Sequence, residues 1–271
     1  MTRIPITMCH GIDVKKTQAP LTTEHFERLI KVAAELGFES IDYDDLEAWQ
    51  SDRGTLPRRP IMLDFDHPVR SMRYEVNDVL SRYGLKGNLF VNTGPMDPNY
   101  RGKPRGDAWM TWDELRELVE MGWTIGAHTV THPNLSELSL EDPEGRKIRD
   151  ELIQCDETIE KELGIKPKVF AFTGTSFSSI ALAEVKKRYR FGRLWITQAF
   201  YQVDGKKMRY ADLVGVAGED EPDGGPPQQA RYIHKNSDPY LLPSMEFQAL
   251  IYEPDAFRRY LQGAISGADE R

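Results

Sequence analysis

At 271 residues the chain is long enough for one large α/β domain or two small ones. Its 39% apolar and 29% charged content is ordinary for a soluble globular protein, and a net charge of −8 without a basic patch argues against a nucleic-acid partner. Two cysteines, Cys9 and Cys155, exclude a disulfide framework and read as small buried hydrophobes of a reducing compartment.

In chain order, Ile4 to Met8 reads as a short strand ending at Cys9-His10-Gly11. The first residues lack the apolar core of a signal peptide, and no run approaches membrane-spanning length. A cytoplasmic chain with no membrane span is therefore expected. Thr22 or Thr23 caps a helix whose apolar positions Phe26, Leu29, Ile30, Ala33 and Leu36 recur at helical spacing and stop at Gly37. Ser40 to Tyr43 reads as a strand, and Asp44-Asp45 opens a short helix through Leu46 and Trp49. The run Ile61 to Phe65 has the pattern of a buried strand and ends in Asp66-His67-Pro68, with Asp64 inside it. A helix from Ser71 to Gly84 and a strand from Asn88 to Asn92 follow.

Beyond a polar loop from Gly94 to Asp107, Thr111 and Glu114 form a capping-box pattern for a helix that stops at Gly122. Trp123 and Ile125 then lead into Gly126-Ala127-His128-Thr129-Val130-Thr131-His132-Pro133. The longest helix is predicted from about Pro143 to Leu163, and strands at Val169–Phe172 and Leu194–Ile196 flank a helix near Ser179 to Tyr189. Gly218 to Gln229 is acidic and rich in Gly and Pro, which predicts a mobile surface loop, and Asp255 to Ile265 closes the chain as a helix. No linker divides the sequence, so residues 1–271 are expected to form a single domain.

Alternating strands and helices are most economically arranged as one parallel sheet, and repeats of this length favour a closed or nearly closed barrel. In such a barrel the carboxyl ends of the strands share one face, where function sits. Asp64, Asp66, His67, His128 and the residues after Phe172 all fall at such ends. His128 and His132 are four residues apart, one at a strand end and one in the turn after it, and their imidazoles can converge on one divalent metal. Asp64 to His67 offers both a third ligand and a carboxylate able to take a proton from metal-activated water.

On these stretches the chain resembles the polysaccharide deacetylases, carbohydrate esterase family four. Met8-Cys9-His10-Gly11-Ile12 is similar to an early M-Y-H-x-I, and Pro60 to Pro68 stands where L-T-F-D-D-G is expected. Ile125 to Leu135 is close to the second motif, H-[ST]-x-x-H. The resemblance covers roughly residues 5 to 200. It implies a distorted (β/α) barrel and metal-dependent removal of acetyl groups from N-acetylated, sometimes O-acetylated, sugars. A carbohydrate or sugar-precursor substrate and zinc, with nickel or cobalt as alternatives, go with it.

Two site arrangements follow from the resemblance. An ungapped alignment makes Asp66 the base and His67, His128 and His132 a three-histidine metal site. The D-x-D form used elsewhere in the superfamily makes Asp64 the base and Asp66 a ligand, and strand alternation, which points both carboxylates to one side, agrees with it. The stretch Phe170 to Thr175, where the third motif falls, holds neither the Arg that orients the base nor a Pro-Tyr pair. The backbone N–H of Gly174 is the candidate oxyanion donor there. The late L-x-H has no match at Leu242-Pro243-Ser244-Met245, which leaves His234 as the candidate acid. His10 reads as a structural histidine beneath the site, His25 as a surface residue, and Trp109, Trp112 and Trp195 as rings that stack on sugars or pack in the core. A cyclic-amide hydrolase of the allantoinase kind and a binding homologue without turnover are the rival readings.

Overall fold

The computed structural model describes residues 2–12, 21–100, 109–196 and 200–266. Part of the predicted polar loop, residues 101–107, lies outside them. Parallel strands β1 (Ile4–Cys9), β2 (Pro60–Asp66), β3 (Asn88–Val91), β4 (Thr124–Ala127), β5 (Val169–Ala171), β6 (Phe191–Ile196) and β7 (Leu242–Glu246) follow one another around a barrel in chain order. Closure comes from β1, which pairs with β2 at Ile6↔Met62 and with β7 at Thr7↔Met245. The fold is thus the (β/α) barrel expected from the alternation. Outside the ring, Tyr232–Ile233 pairs antiparallel with β1, and Ser176–Phe177, Tyr201–Val203 and Lys206–Met208 form a separate small sheet.

Side-chain alternation sorts each strand between two cores. In β2, Ile61, Leu63 and Phe65 join the layer under the helices, while Met62 joins Ile4, Ile6, Phe90, Val169, Phe191 and Leu242 inside the barrel. Asp64 and Asp66, at the same parity as Met62, therefore continue the interior column upward. Gly126 has the interior parity of β4, and a Cβ there would lie 2.7 Å from both Phe90 and Val169. Its missing side chain lets those two groups meet across the barrel.

Several local expectations are adjusted. Thr22 caps the first helix (Thr23–Glu35) and Thr111 forms its capping box with Glu114, as the residues predict. The strand read at Ser40–Tyr43 is only Glu39–Ser40, because Asp42 caps the next helix through a box with Asp45 and Tyr43 becomes its first residue. The helix expected from Ser71 is a short 3₁₀ turn at Arg70–Met72 followed by a regular helix at Glu75–Arg82. The long helix starts at Arg146, with a separate helix at Leu135–Glu141 before it. Strand β7 did not stand out in the sequence because Pro243 argues against a central strand. Asp223 in the acidic loop is not merely solvated: both its oxygens accept from Arg231, at 2.6 and 2.7 Å. His25 is buried, with Nε2 2.7 Å from the Tyr252 carbonyl oxygen, rather than on the surface. Cys9 and Cys155 are buried free thiols, and burial raises both above the usual thiol range. No helix among the described residues is long and apolar enough to cross a membrane.

Candidate metal and acyl-transfer site

Because all seven strands run the same way, His10, His67, Asn92, His128, Phe172 and Glu246 come out at one end of the barrel. Among the described residues, His67, His128 and His132 form the group able to hold a metal, with ligand atoms within 4.8 Å of one another. The residues between the strand ends and these rings adopt costly backbone. His67, Thr129 and His132 have φ of +69°, +68° and +59°, a left-handed region that costs an L-residue roughly 1–2 kcal/mol. Such a concentration of strain persists only where surrounding contacts impose it, and it clusters at functional sites.

Those contacts also choose the tautomers. The Nδ1 of His67 lies 2.8 Å from the Asn92 Oδ1, and that of His128 lies 2.8 Å from the Ala171 carbonyl oxygen. A carbonyl can only accept, so His128 carries its proton on Nδ1 and turns the Nε2 lone pair toward the other rings. That Nε2 is buried and has no hydrogen-bond partner. Burial holds the His128 imidazole down at about 4, against the pull of Asp66, so it is neutral and ligand-ready at neutral pH. A buried nitrogen lone pair aimed at two further imidazoles fits a borderline cation such as zinc. The chemistry of the three residues thus agrees with the metal that this donor set implies.

Asp66 stands beside this group, with Oδ2 4.0 Å from His128 Nε2. Its other contact is with a residue that the sequence reading passed over. Arg193, inside β6 and fully buried, grips Asp66 with both terminal nitrogens: Nη1 donates to Oδ2 at 3.2 Å and Nη2 to Oδ1. The same guanidinium places Nε 3.3 Å from Asp64 Oδ2 and stacks over Phe90 at 4.5 Å. Phe170–Thr175 holds no arginine, and the guanidinium against Asp66 comes instead from the next strand of the barrel, β6. A sequence signal existed, since an Arg within an apolar strand demands a buried acidic partner. Local pattern marks the strand only from Leu194, whereas it begins at Phe191 and includes Arg193.

One guanidinium serves two buried carboxylates, and it divides them. Burial alone would raise Asp66, but Arg193, His128 and His10 overcome it and hold the carboxyl at about 2. Burial pushes Asp64 up to about 6 despite Arg193, the Tyr43 hydroxyl donating at 2.6 Å and the Asn88 amide donating at 3.0 Å. Asp64 thus lies one layer deeper, enclosed by Tyr43, Asn88 and Arg193, while Asp66 borders the histidines. His67, His128 and His132 form the group able to hold a metal, and the Asp66 carboxylate stands next to it.

The remaining candidates divide by position. His10 packs against His67 with ring centroids 5.4 Å apart, and its Nδ1 lies 3.1 Å from Glu246 Oε2 at the end of β7. It is beside the site, not beneath it. Trp195 meets the His10 ring edge-on at 5.4 Å, and Trp109 meets His67 at 6.3 Å, so these two indoles border the site, whereas Trp112 packs on the helical layer. Gly174 follows β5 at the same end, half-buried with φ +56°, in a loop tied down by Thr173 Oγ1 donating to the Pro133 carbonyl at 2.5 Å. His234 is not brought there. It follows Ile233, which pairs with Ile4 at the opposite end of β1, and its Nε2 lies 3.2 Å from the Gln229 carbonyl oxygen. The antiparallel return of that strand carries it away from the histidines.

Residues 53–189 match the family model described as Polysaccharide deacetylase, and the chain belongs to that family. Solved structures agree on the fold. The Streptococcus pyogenes deacetylase PplD, in complex with acetate, is similar at a TM-score of 0.70 and 15% identity, covering 96% of this chain and 98% of its own. IcaB from Ammonifex degensii is similar at 0.67 and 14%, covering 97% of each chain. The polysaccharide deacetylase BC0361 from Bacillus cereus is similar at 0.65 and 16%, covering 96% of this chain and 69% of its own. A sequence search of curated proteins gives no match.

Proposed function

We propose that this family member removes acetyl groups from N-acetylated sugars with a zinc ion held by His67, His128 and His132. The observation that supports this most is the buried His128 Nε2, left without a hydrogen-bond partner 4.0 Å from the Asp66 carboxylate. Bound there, zinc would lower the pKa of a coordinated water toward neutrality and polarise the acetyl carbonyl.

The chain's own residues supply the rest. Asp66, kept ionised and oriented by Arg193, takes the proton of the attacking water, whose oxygen bonds to the acetyl carbon. Asp64, engaged by Tyr43, Asn88 and Arg193 in the layer below, takes no part in this step. The Gly174 N–H is the candidate donor to the carbonyl oxygen as charge develops there. The C–N bond then breaks, and the departing amine needs a proton. We assign that proton to His10, whose ring packs beside His67 and whose Nδ1 lies 3.1 Å from Glu246 Oε2. Acetate and a free amino sugar leave. Trp109 and Trp195 offer apolar faces for the sugar at the rim.

Zinc-loaded protein should release acetate, and expose an equal amount of primary amine, from N-acetylglucosamine oligomers. Chelation or His128→Ala should abolish both. No acetate from any N-acetylglucosamine oligomer or linked precursor, at full zinc occupancy, would sink the reading.

A further inference from the structure

We infer that Glu151 is a positioning residue for the metal site, acting through the loop that joins His128 to His132. This rests on the proposed zinc site and extends it to a side chain on the helix outside the barrel. Glu151 lies on the helix Arg146–Leu163, outside the barrel. Its Oε2 accepts from the backbone N–H of Val130 at 2.8 Å and of Thr131 at 2.9 Å, and its Oε1 accepts from the Thr131 hydroxyl at 2.6 Å. One carboxylate thus binds both amides and the one hydroxyl at the centre of the segment. Successive N–H groups converging on an anion form the concavity that backbone uses to hold negative charge.

The segment needs such a hold. Thr129 and His132 are left-handed at φ +68° and +59°, so the loop reverses twice within four residues. On its barrel side, Thr129 and Val130 accept from the N–H groups of Thr93 and Gly94, at 3.2 and 2.9 Å. Inside the loop, the His132 N–H donates to Thr129 Oγ1 at 3.0 Å. Glu151 closes the outer side by holding Thr131, the residue next to His132, which is the least buried of the three histidines. Without it the Val130 and Thr131 amides lose their acceptor, and the conformation that aims His132 at His128 competes with relaxed ones. Partners of this indirect kind typically change metal affinity 10–100-fold when removed.

The test is zinc affinity by competition with a fluorescent chelator, measured on wild type, Glu151→Gln and Glu151→Ala, with metal-free melting as the folding control. We expect affinity to fall in the order wild type, Gln, Ala, with Ala down 10–100-fold in folded protein, because glutamine keeps one acceptor oxygen and alanine none. A purely structural role would lower the melting temperature of all metal-free variants and leave the affinity of the folded protein unchanged. Zinc held by Glu151→Ala as tightly as by wild type overturns the inference and leaves the proposed function standing. Failure of wild type itself to bind zinc overturns both. Thr131→Val, which removes only the hydroxyl contact, should give a smaller loss, and a loss equal to that of Glu151→Ala would place the effect in Thr131 instead.

Discussion

Arg193 and Asp66, 127 residues apart in sequence, meet in a two-pronged ion pair inside the barrel, beside the histidine group. That pair separates the roles of the two carboxylates on β2. Asp66 gets both terminal nitrogens and stays ionised, while Asp64 shares what remains and is raised by burial.

Asp66→Asn should therefore lower kcat by about 10²–10⁴-fold, the range for loss of a proton acceptor, while zinc stoichiometry stays at the wild-type value. Elemental analysis of the purified variant decides between the two arrangements. Loss of zinc would mean that Asp66 is a ligand, as in the D-x-D form.

Arg193→Met leaves two carboxylates facing each other in the barrel without a cation. Breaking a buried pair from one side typically costs about 3–5 kcal/mol, and the melting temperature of the variant should fall accordingly. In whatever fraction folds, Asp66 loses the partner that holds it down. The acidic limb of kcat/KM against pH should then move to higher pH, and an unmoved limb would show that Asp66 is not the group being titrated.

Acid stability of the metal-free protein should reveal His128. Its imidazole sits at about 4 when folded, against 6.5 for the ordinary side chain. Below 6.5 the unfolded chain takes up the proton first, so acidification toward 4 favours unfolding. Asp64 acts with the opposite sign in nearly the same window, because a carboxyl raised to about 6 binds its proton more readily in the folded state. Wild type should show a shallow slope between these pH values. His128→Gln removes the destabilising half, so it should gain up to about 3 kcal/mol relative to wild type between pH 6.5 and 4. Urea titrations at the two pH values measure the difference, and a constant difference would refute the assignment.

His10→Gln should reduce amide hydrolysis by about 10²–10⁴-fold if this ring protonates the amine. An aryl acetate whose leaving group needs no proton should be hydrolysed nearly as fast as by wild type. His234→Ala, at the other end of the barrel, should leave both rates unchanged. Equal losses on amide and aryl ester with His10→Gln would show that the ring does something other than donate a proton.

Much of this was legible in the chain itself. Apolar periodicity, the Thr22 and Thr111 caps and the alternation of strand and helix determine the barrel, because each is a local preference expressed within a dozen residues. The spacing of His128 and His132, and the ionisable end of β2, likewise mark one face of the barrel, since parallel strands must end together there. What only the tertiary structure decided are the pairings across the ring. Arg193 finds Asp66 and Asp64, Glu246 finds His10, and Glu151 finds the histidine loop, at separations where sequence carries no periodic signal. Each of these side chains is polar in a setting where local pattern predicts either an apolar residue or a solvated one. Its partner comes from another strand or helix, and the low dielectric of the interior, which makes an unpaired charge so costly, shows its choice only once the barrel has closed.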